Sequence, residues 1–186
     1  IGVYDLNSPL NSVPDYYGEN RGWGDVEFMD YDPIRGLIYF AQWHGGNAGI
    51  IVNDISDLNN IVQTGQTRNY DYCRGVHYSN DVVYCSTGHM GLIAHSFIND
   101  ELIPASIVPI GQSQGHGTWG IDVVGDIAYA IATDDGLVTI DFSNPSAPLI
   151  LGSVPELEDV YARDVEIVGN IAYVAVRNLG IASVDI

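Results

Sequence analysis

A tyrosine recurs through this chain at an almost fixed interval: Tyr39, Tyr84, Tyr129 and Tyr173, spaced 45, 45 and 44 residues apart. Each lies in a short apolar run, and each is followed by a glycine that opens another such run, at Gly49, Gly91, Gly136 and Gly180. Each is preceded by a matching segment: Trp23-Gly24-Asp25-Val26-Glu27-Phe28, Arg74-Gly75-Val76-His77-Tyr78, Trp119-Gly120-Ile121-Asp122-Val123 and Arg163-Asp164-Val165-Glu166-Ile167. Self-similarity at this period marks an architecture of stacked repeats. The strand Gly-Leu-Val-Thr-Ile-Asp-Phe at 136–142 returns as Gly-Ile-Ala-Ser-Val-Asp-Ile at 180–186. Looser copies run from Gly49 to Ile55 and from Gly91 to Phe97, and Ile1 to Asn7 reads as a fifth copy of this strand alone.

Each unit thus holds three clear strands, the first two joined by a tight turn such as Val-Gly-Asp at 124–126 or Val-Gly-Asn at 168–170, which suits a hairpin needing positive φ. A weaker fourth strand follows at Ile61 to Thr67, Ser106 to Ile110 and Leu149 to Val154, where polar residues and proline suit an edge position. The runs are short, β-branched and broken by Gly, Asn and Asp, so no helical period of useful length exists. Four antiparallel strands repeated at this interval give an all-β fold, a β-propeller of four-stranded antiparallel blades, with a β-solenoid as the rival. Residues 1–21 read as outer strands of a preceding blade, 22–71, 72–116 and 117–160 as three blades, and 161–186 as a partial blade. The third-strand motif stands at both ends, which points to a portion of a six- to eight-bladed ring; irregular closure of a fourth blade is the alternative.

Arg163-Asp164-Val165-Glu166-Ile167-Val168-Gly169-Asn170-Ile171-Ala172-Tyr173-Val174-Ala175, together with Gly136-Leu137-Val138-Thr139-Ile140-Asp141-Phe142-Ser143-Asn144-Pro145, resembles the LVIVD repeat. The likeness is specific over roughly 117–186 and degenerate over 22–116, where Asp30-Tyr31-Asp32-Pro33 reads as an insertion. That repeat occurs in bacterial and archaeal surface or secreted propellers, including choice-of-anchor B proteins. The resemblance implies a propeller and an extracytoplasmic (secreted or cell-surface) location. It brings no catalytic residues with it.

Charge narrows the partners. Twenty-four acidic residues face six basic ones, all arginine, for a net charge of -18. Binding to nucleic acid needs clustered cations to displace phosphate counterions, so that class is excluded, and docking on anionic membranes is disfavoured. No apolar run approaches the roughly 20 residues of a spanning helix, so no transmembrane segment is expected. The chain starts without a leader and stops inside a strand motif, and so reads as a mature fragment or one part of a longer chain or assembly. The acidity fits an exported or a salt-adapted protein. Cys73 and Cys85 fall on one hairpin, within reach of each other if a bulge intervenes; a disulfide and two buried thiols both fit. A three-residue turn at Ser79-Asn80-Asp81 would set Val76 opposite Tyr84 and Gly75 opposite Cys85.

The loops before each first strand and between second and third strands share one end of a propeller. They collect Trp23, Arg74, Trp119 and Arg163, with His116 just upstream, and His44, His89, Asp134 and Asn178, five residues after each tyrosine. Indoles, guanidiniums and imidazoles together suit a binding surface for a protein or glycan partner; turn polarity and structural tryptophans are the plainer account. His44, His89 and His116, with Asp134, would suit zinc or copper. Glu27, Asp122 and Glu166, with His77, would form a second ring along the channel that calcium or bound water could relieve of like-charge repulsion. Asp5, Asp54, Asp141 and Asp185, closing each third strand, read as turn-forming carboxylates. Nucleophile elbow, phosphate loop and metalloprotease motifs are absent, so no catalytic residue is assigned. The chain reads as a non-enzymatic extracytoplasmic binding or assembly module. A metal-dependent enzyme or metal-binding propeller built on the loop histidines is the alternative.

Overall fold

The computed structural model describes residues 2–5, 15–19, 26–43, 48–68, 72–111, 117–157 and 161–186. Strands β1 (Gly2–Asp5) and β2 (Asp15–Glu19) pair with each other. Four further antiparallel sheets follow in chain order. The first holds β3 (Val26–Asp32), β4 (Leu37–Gln42), β5 (Gly49–Asp54) and β6 (Val62–Arg68). The second holds β7 (Cys73–Ser79), β8 (Val82–Thr87), β9 (Leu92–Ile98) and β10 (Glu101–Val108). The third holds β11 (Thr118–Val124), β12 (Ile127–Ala132), β13 (Gly136–Asp141) and β14 (Leu149–Val154), and the fourth β15 (Ala162–Val168), β16 (Ile171–Val176) and β17 (Gly180–Asp185). In the four-stranded sheets the strands lie side by side in sequence order. These are the blades of a propeller.

Turn chemistry sets the register. Asn80 and Asp81 both take positive φ (50° and 63°), as do Asn99 and Asp100 (52° and 63°), giving the two-residue turns whose twist matches paired strands. The β7–β8 turn is therefore one residue shorter than expected, and the pairing moves by one: Val76 faces Cys85 and His77 faces Tyr84. In the first blade the turn is longer. Asp32 closes it, its carboxylate accepting the amides of Ile34 (2.8 Å) and Arg35 (3.0 Å), and Gly36 supplies the positive φ of 65°. Asp30 thus faces Tyr39, as His77, Asp122 and Glu166 face Tyr84, Tyr129 and Tyr173. The residue equivalent to His77 is Asp30, and the expected Glu27 sits three places earlier.

Three apolar interfaces join the four sheets. Tyr39, Ala41, Ile50 and Val52 pack on Cys73, Val76, Val83 and Cys85 between the first and second blades. Val82, Tyr84, Leu92 and Ala94 meet Ile121, Val123, Ala128 and Ala130 between the second and third. Ile131 and Leu137 meet Val165, Ala172, Val174 and Val176 between the third and fourth. Dense burial on both faces removes the polar side a lone sheet would need. Among the described residues the fourth sheet packs against the third. Tyr173, 43% exposed, and Ile181, 74% exposed, face outward, whereas Tyr39 and Tyr84 are buried. Cys73 and Cys85 are joined in a disulfide across the β7–β8 hairpin, their Cα atoms 5.6 Å apart. The bulge at Cys73/Gly75 lets two residues that are not directly opposite meet.

The first strands of the blades approach one another closely around a common axis. A Cβ on Gly75 would lie 2.6 Å from the carbonyl oxygen of Trp119, and one on Gly120 would lie 2.5 Å from Cα of Asp164. Glu27 and Phe28 of the first blade line the same cavity as Trp119 of the third and Arg163 and Arg177 of the fourth. The four sheets thus form a four-bladed propeller arrangement around one axis. Gly120→Ala is expected to destabilise the protein by roughly 2–3 kcal/mol, because the obstructing atoms are backbone and do not move aside; urea unfolding measures it.

His95 on β9 is fully buried, with Nδ1 3.2 Å from the carbonyl oxygen of Val83. Burial pushes its pKa down to about 4. The folded state therefore holds it neutral while the unfolded chain binds a proton below its ordinary value of about 6.5. Stability from this site is complete above that value and falls as pH drops toward 4, by on the order of 3 kcal/mol. Unfolding free energies across that window should show this loss in the wild type and a flatter profile in His95→Gln.

Candidate functional site

Every blade carries a β-bulge at the same place in its first strand: between Val26 and Phe28, Cys73 and Gly75, Thr118 and Ile121, and Ala162 and Asp164. The residues left without a direct partner are Glu27, Arg74, Trp119 (with Gly120) and Arg163. A bulge releases a residue from the ladder and re-aims its side chain. Here it sends one side chain from each blade toward one end of the axis.

Trp119 is the centre of this arrangement. The Arg163 guanidinium carbon lies 3.4 Å from the centroid of its ring, and that of Arg74 lies 4.1 Å from it. Arg74 is buried, and also stands 5.7 Å from the Trp43 ring and 5.9 Å from the Tyr72 ring. Tyr72 meets Trp43 edge-on at 6.5 Å and His89 at 5.5 Å. Arginine suits such stacking because its planar, weakly hydrated cation can lie on an indole while its N–H edge stays available. Glu27, Phe28, Trp43, Trp119, Arg163 and Arg177 line a cavity of about 560 Å³. Burial first, then the neighbouring Arg177 guanidinium, holds Arg163 below its usual pKa, with Glu27 opposing.

The structure brings Arg74, Trp119 and Arg163 together, and joins His89 to them through Tyr72. Asp134 lies in the β12–β13 turn and does not line the cavity. Trp23, His44 and His116 lie outside the described residues, so the zinc or copper set is represented by His89 and Asp134 alone. Trp43 and Arg177 were missed, although both stand four residues after a repeat tyrosine, next to the fifth position that was singled out.

The calcium ring does not assemble as drawn. Glu27 lines the mouth, while Asp122 and Glu166 sit three register places further along the axis. Asp122 accepts the amide of Ile167 on the next blade at 2.7 Å, and Asp30 accepts that of Tyr78 at 2.7 Å. His77 stands between them, 3.4 Å from Asp30 and 3.9 Å from Asp122. Among the described residues no group of three or more His, Cys, Asp or Glu side chains could hold one metal ion. Asp54 and Asp141 accept the amides of Ser56 (2.8 Å) and Ser143 (2.7 Å), as turn-forming carboxylates should.

The LVIVD repeat model matches residues 115–155 and 160–186. No curated protein matches the chain. Among solved structures, the computationally designed Ika4 protein superposes with a TM-score of 0.65 at 9% identity, covering 91% of this chain and 96% of that one. A putative 6-phosphogluconolactonase from Bacteroides uniformis gives 0.71 at 16% identity, covering 86% of this chain and 50% of its own. A protein from Lactobacillus plantarum gives 0.71 at 15% identity, covering 93% and 55%. The chain thus spans about half the length of these last two proteins. At such identities the likeness concerns the fold alone.

Trp119→Leu keeps an apolar side chain but removes both cation–π contacts. It is expected to cost roughly 1–3 kcal/mol in urea unfolding, and considerably less in an Arg74→Met/Arg163→Met background, where those contacts are already gone.

Proposed function

We propose that this β-propeller, which matches the LVIVD repeat over residues 115–155 and 160–186, is a non-enzymatic, extracytoplasmic binding module that seats a protein or glycan partner in the mouth formed by Trp43, Trp119, Arg163 and Arg177. The observation that carries this reading is the repeated bulge, which turns a structural position of every blade into a side chain aimed at one cavity. Indoles and guanidiniums are the groups that dominate recognition surfaces. They bind and orient, but supply neither a nucleophile nor a general base at neutral pH. Concave, aromatic-lined cavities of a few hundred Å³ are the usual form of a ligand site.

Two further features support an extracytoplasmic setting. The Cys73–Cys85 disulfide is a bond that persists in oxidising compartments and is rare in the cytosol. A lysine-free chain with a net charge of -18 stays dispersed by self-repulsion. Digestion of intact source cells with an added protease should remove the protein before cytosolic markers; its survival until lysis would contradict the location.

Binding is tested by probing glycan and peptide arrays with the intact protein and with Trp43→Ala. Ligands retained by the wild type should be lost, by tenfold or more in affinity, in the variant. Ligands bound equally by both would place recognition elsewhere on the molecule.

A further inference from the structure

We infer that the mouth is selective for a monoanionic, carboxylate-bearing sugar, held by Arg163 and Arg177 against the Trp43 and Phe28 rings; this rests on the reading of the mouth as a binding site and specifies its ligand. Three of the six arginines, Arg74, Arg163 and Arg177, converge on one end of a chain with 24 acidic residues. With acids so abundant, an arginine would ordinarily find one, as Arg35 does with Asp32 and Asp81 at 2.9 Å each. Arg163 and Arg177 stand near enough to repel each other, with Glu27 the one carboxylate lining their cavity among the described residues. Among the described residues, two like charges gathered in this cavity face a single carboxylate, and the positive charge left over calls for an anion to complete it.

The cavity restricts the kind of anion. Guanidinium forks match the two oxygens of a carboxylate. One face of Trp119 is covered by Arg163 at 3.4 Å, so the aromatic surface left for a ligand is chiefly Trp43 and Phe28. An aromatic wall beside paired cations suits a flat, C–H-bearing ring that carries an acid group. The size of the mouth fits a small molecule or the terminal unit of a chain. The rest of the molecule then limits the ligand's charge. A net charge of -18 repels approaching anions in proportion to their own charge, so a single carboxylate is admitted more readily than a phosphate dianion or a polysulfated chain.

Calorimetry and tryptophan fluorescence with D-glucuronate, a trigalacturonate, glucose, glucose 6-phosphate and an aspartate-rich peptide test this. The monoacid sugar should bind at least tenfold more tightly than glucose and more tightly than the phosphorylated sugar. Trigalacturonate, with three carboxylates, should bind more weakly than the monoacid sugar, and tighter binding would overturn the inference. Arg177 is exposed, so Arg177→Gln should fold normally, checked by its melting temperature, yet remove the preference for the acid. Trp43→Ala should weaken acid and neutral sugars alike. Equal binding of glucose and glucuronate, an unchanged preference in Arg177→Gln, tighter binding of the peptide or the phosphorylated sugar, or no acid binding up to millimolar concentration would each overturn the inference. If array ligands of another class still depend on Trp43, the mouth remains a binding site and only its ligand is misjudged. If nothing depends on it, the broader reading fails as well.

Discussion

The close approach of the first strands at the axis governs this molecule. Sheets that carry apolar residues on both faces must stack, and stacking around an axis brings their inner edges together. Without side chains at Gly75 and Gly120, the backbones of the second, third and fourth blades come near enough that a single Cβ would collide. That proximity has two consequences. It lets Asp30 and Asp122 bond to amides of the following blade, tying inner strands together across sheet boundaries. It also leaves no room for the bulged residues except at the end of the axis, where they meet.

The mouth inverts the electrostatics of its own chain. Elsewhere, carboxylates close turns or pair with Arg35, which also lies 4.4 Å over the Phe97 ring and so staples the first blade to the second. At the mouth, cations cluster and are steadied by the Trp119 indole. A guanidinium stacked on an aromatic ring keeps its charge while shedding water from one face, which is a cheaper way to hold like charges close than burying them unpaired. The arrangement leaves positive groups facing a cavity in an otherwise strongly negative molecule.

Much of the fold could be read from residues, because the tyrosine interval and the glycine that follows it are rigidly periodic. What could not be read depended on counting through turns. A two-residue turn at Asn80-Asp81, where three residues looked plausible, moved the β7–β8 pairing by one place. A longer turn before Gly36 put Asp30, not Glu27, in line with His77, so the expected acidic ring mixed two levels of the propeller. Bulges leave no compositional mark beyond glycine at Gly75 and Gly120, and for that reason the convergence of Arg74, Trp119 and Arg163 was expected only as a shared face. Trp43 and Arg177 carry no recurring mark of their own, because the polar residues that repeat, His44, His89, Asp134 and Asn178, occupy the next position along.

The central claim is that the four sheets gather around one axis instead of lying in a row. Pulsed electron–electron distance measurement between spin labels at Glu27→Cys and Arg177→Cys tests it directly, since both native cysteines are held in their disulfide. Sheets packed face to face are about 10 Å apart, so four in a row would separate the labels by roughly 30 Å. Labels facing each other across one mouth should give a single distribution well below that value. A distribution centred near 30 Å or beyond would contradict the account.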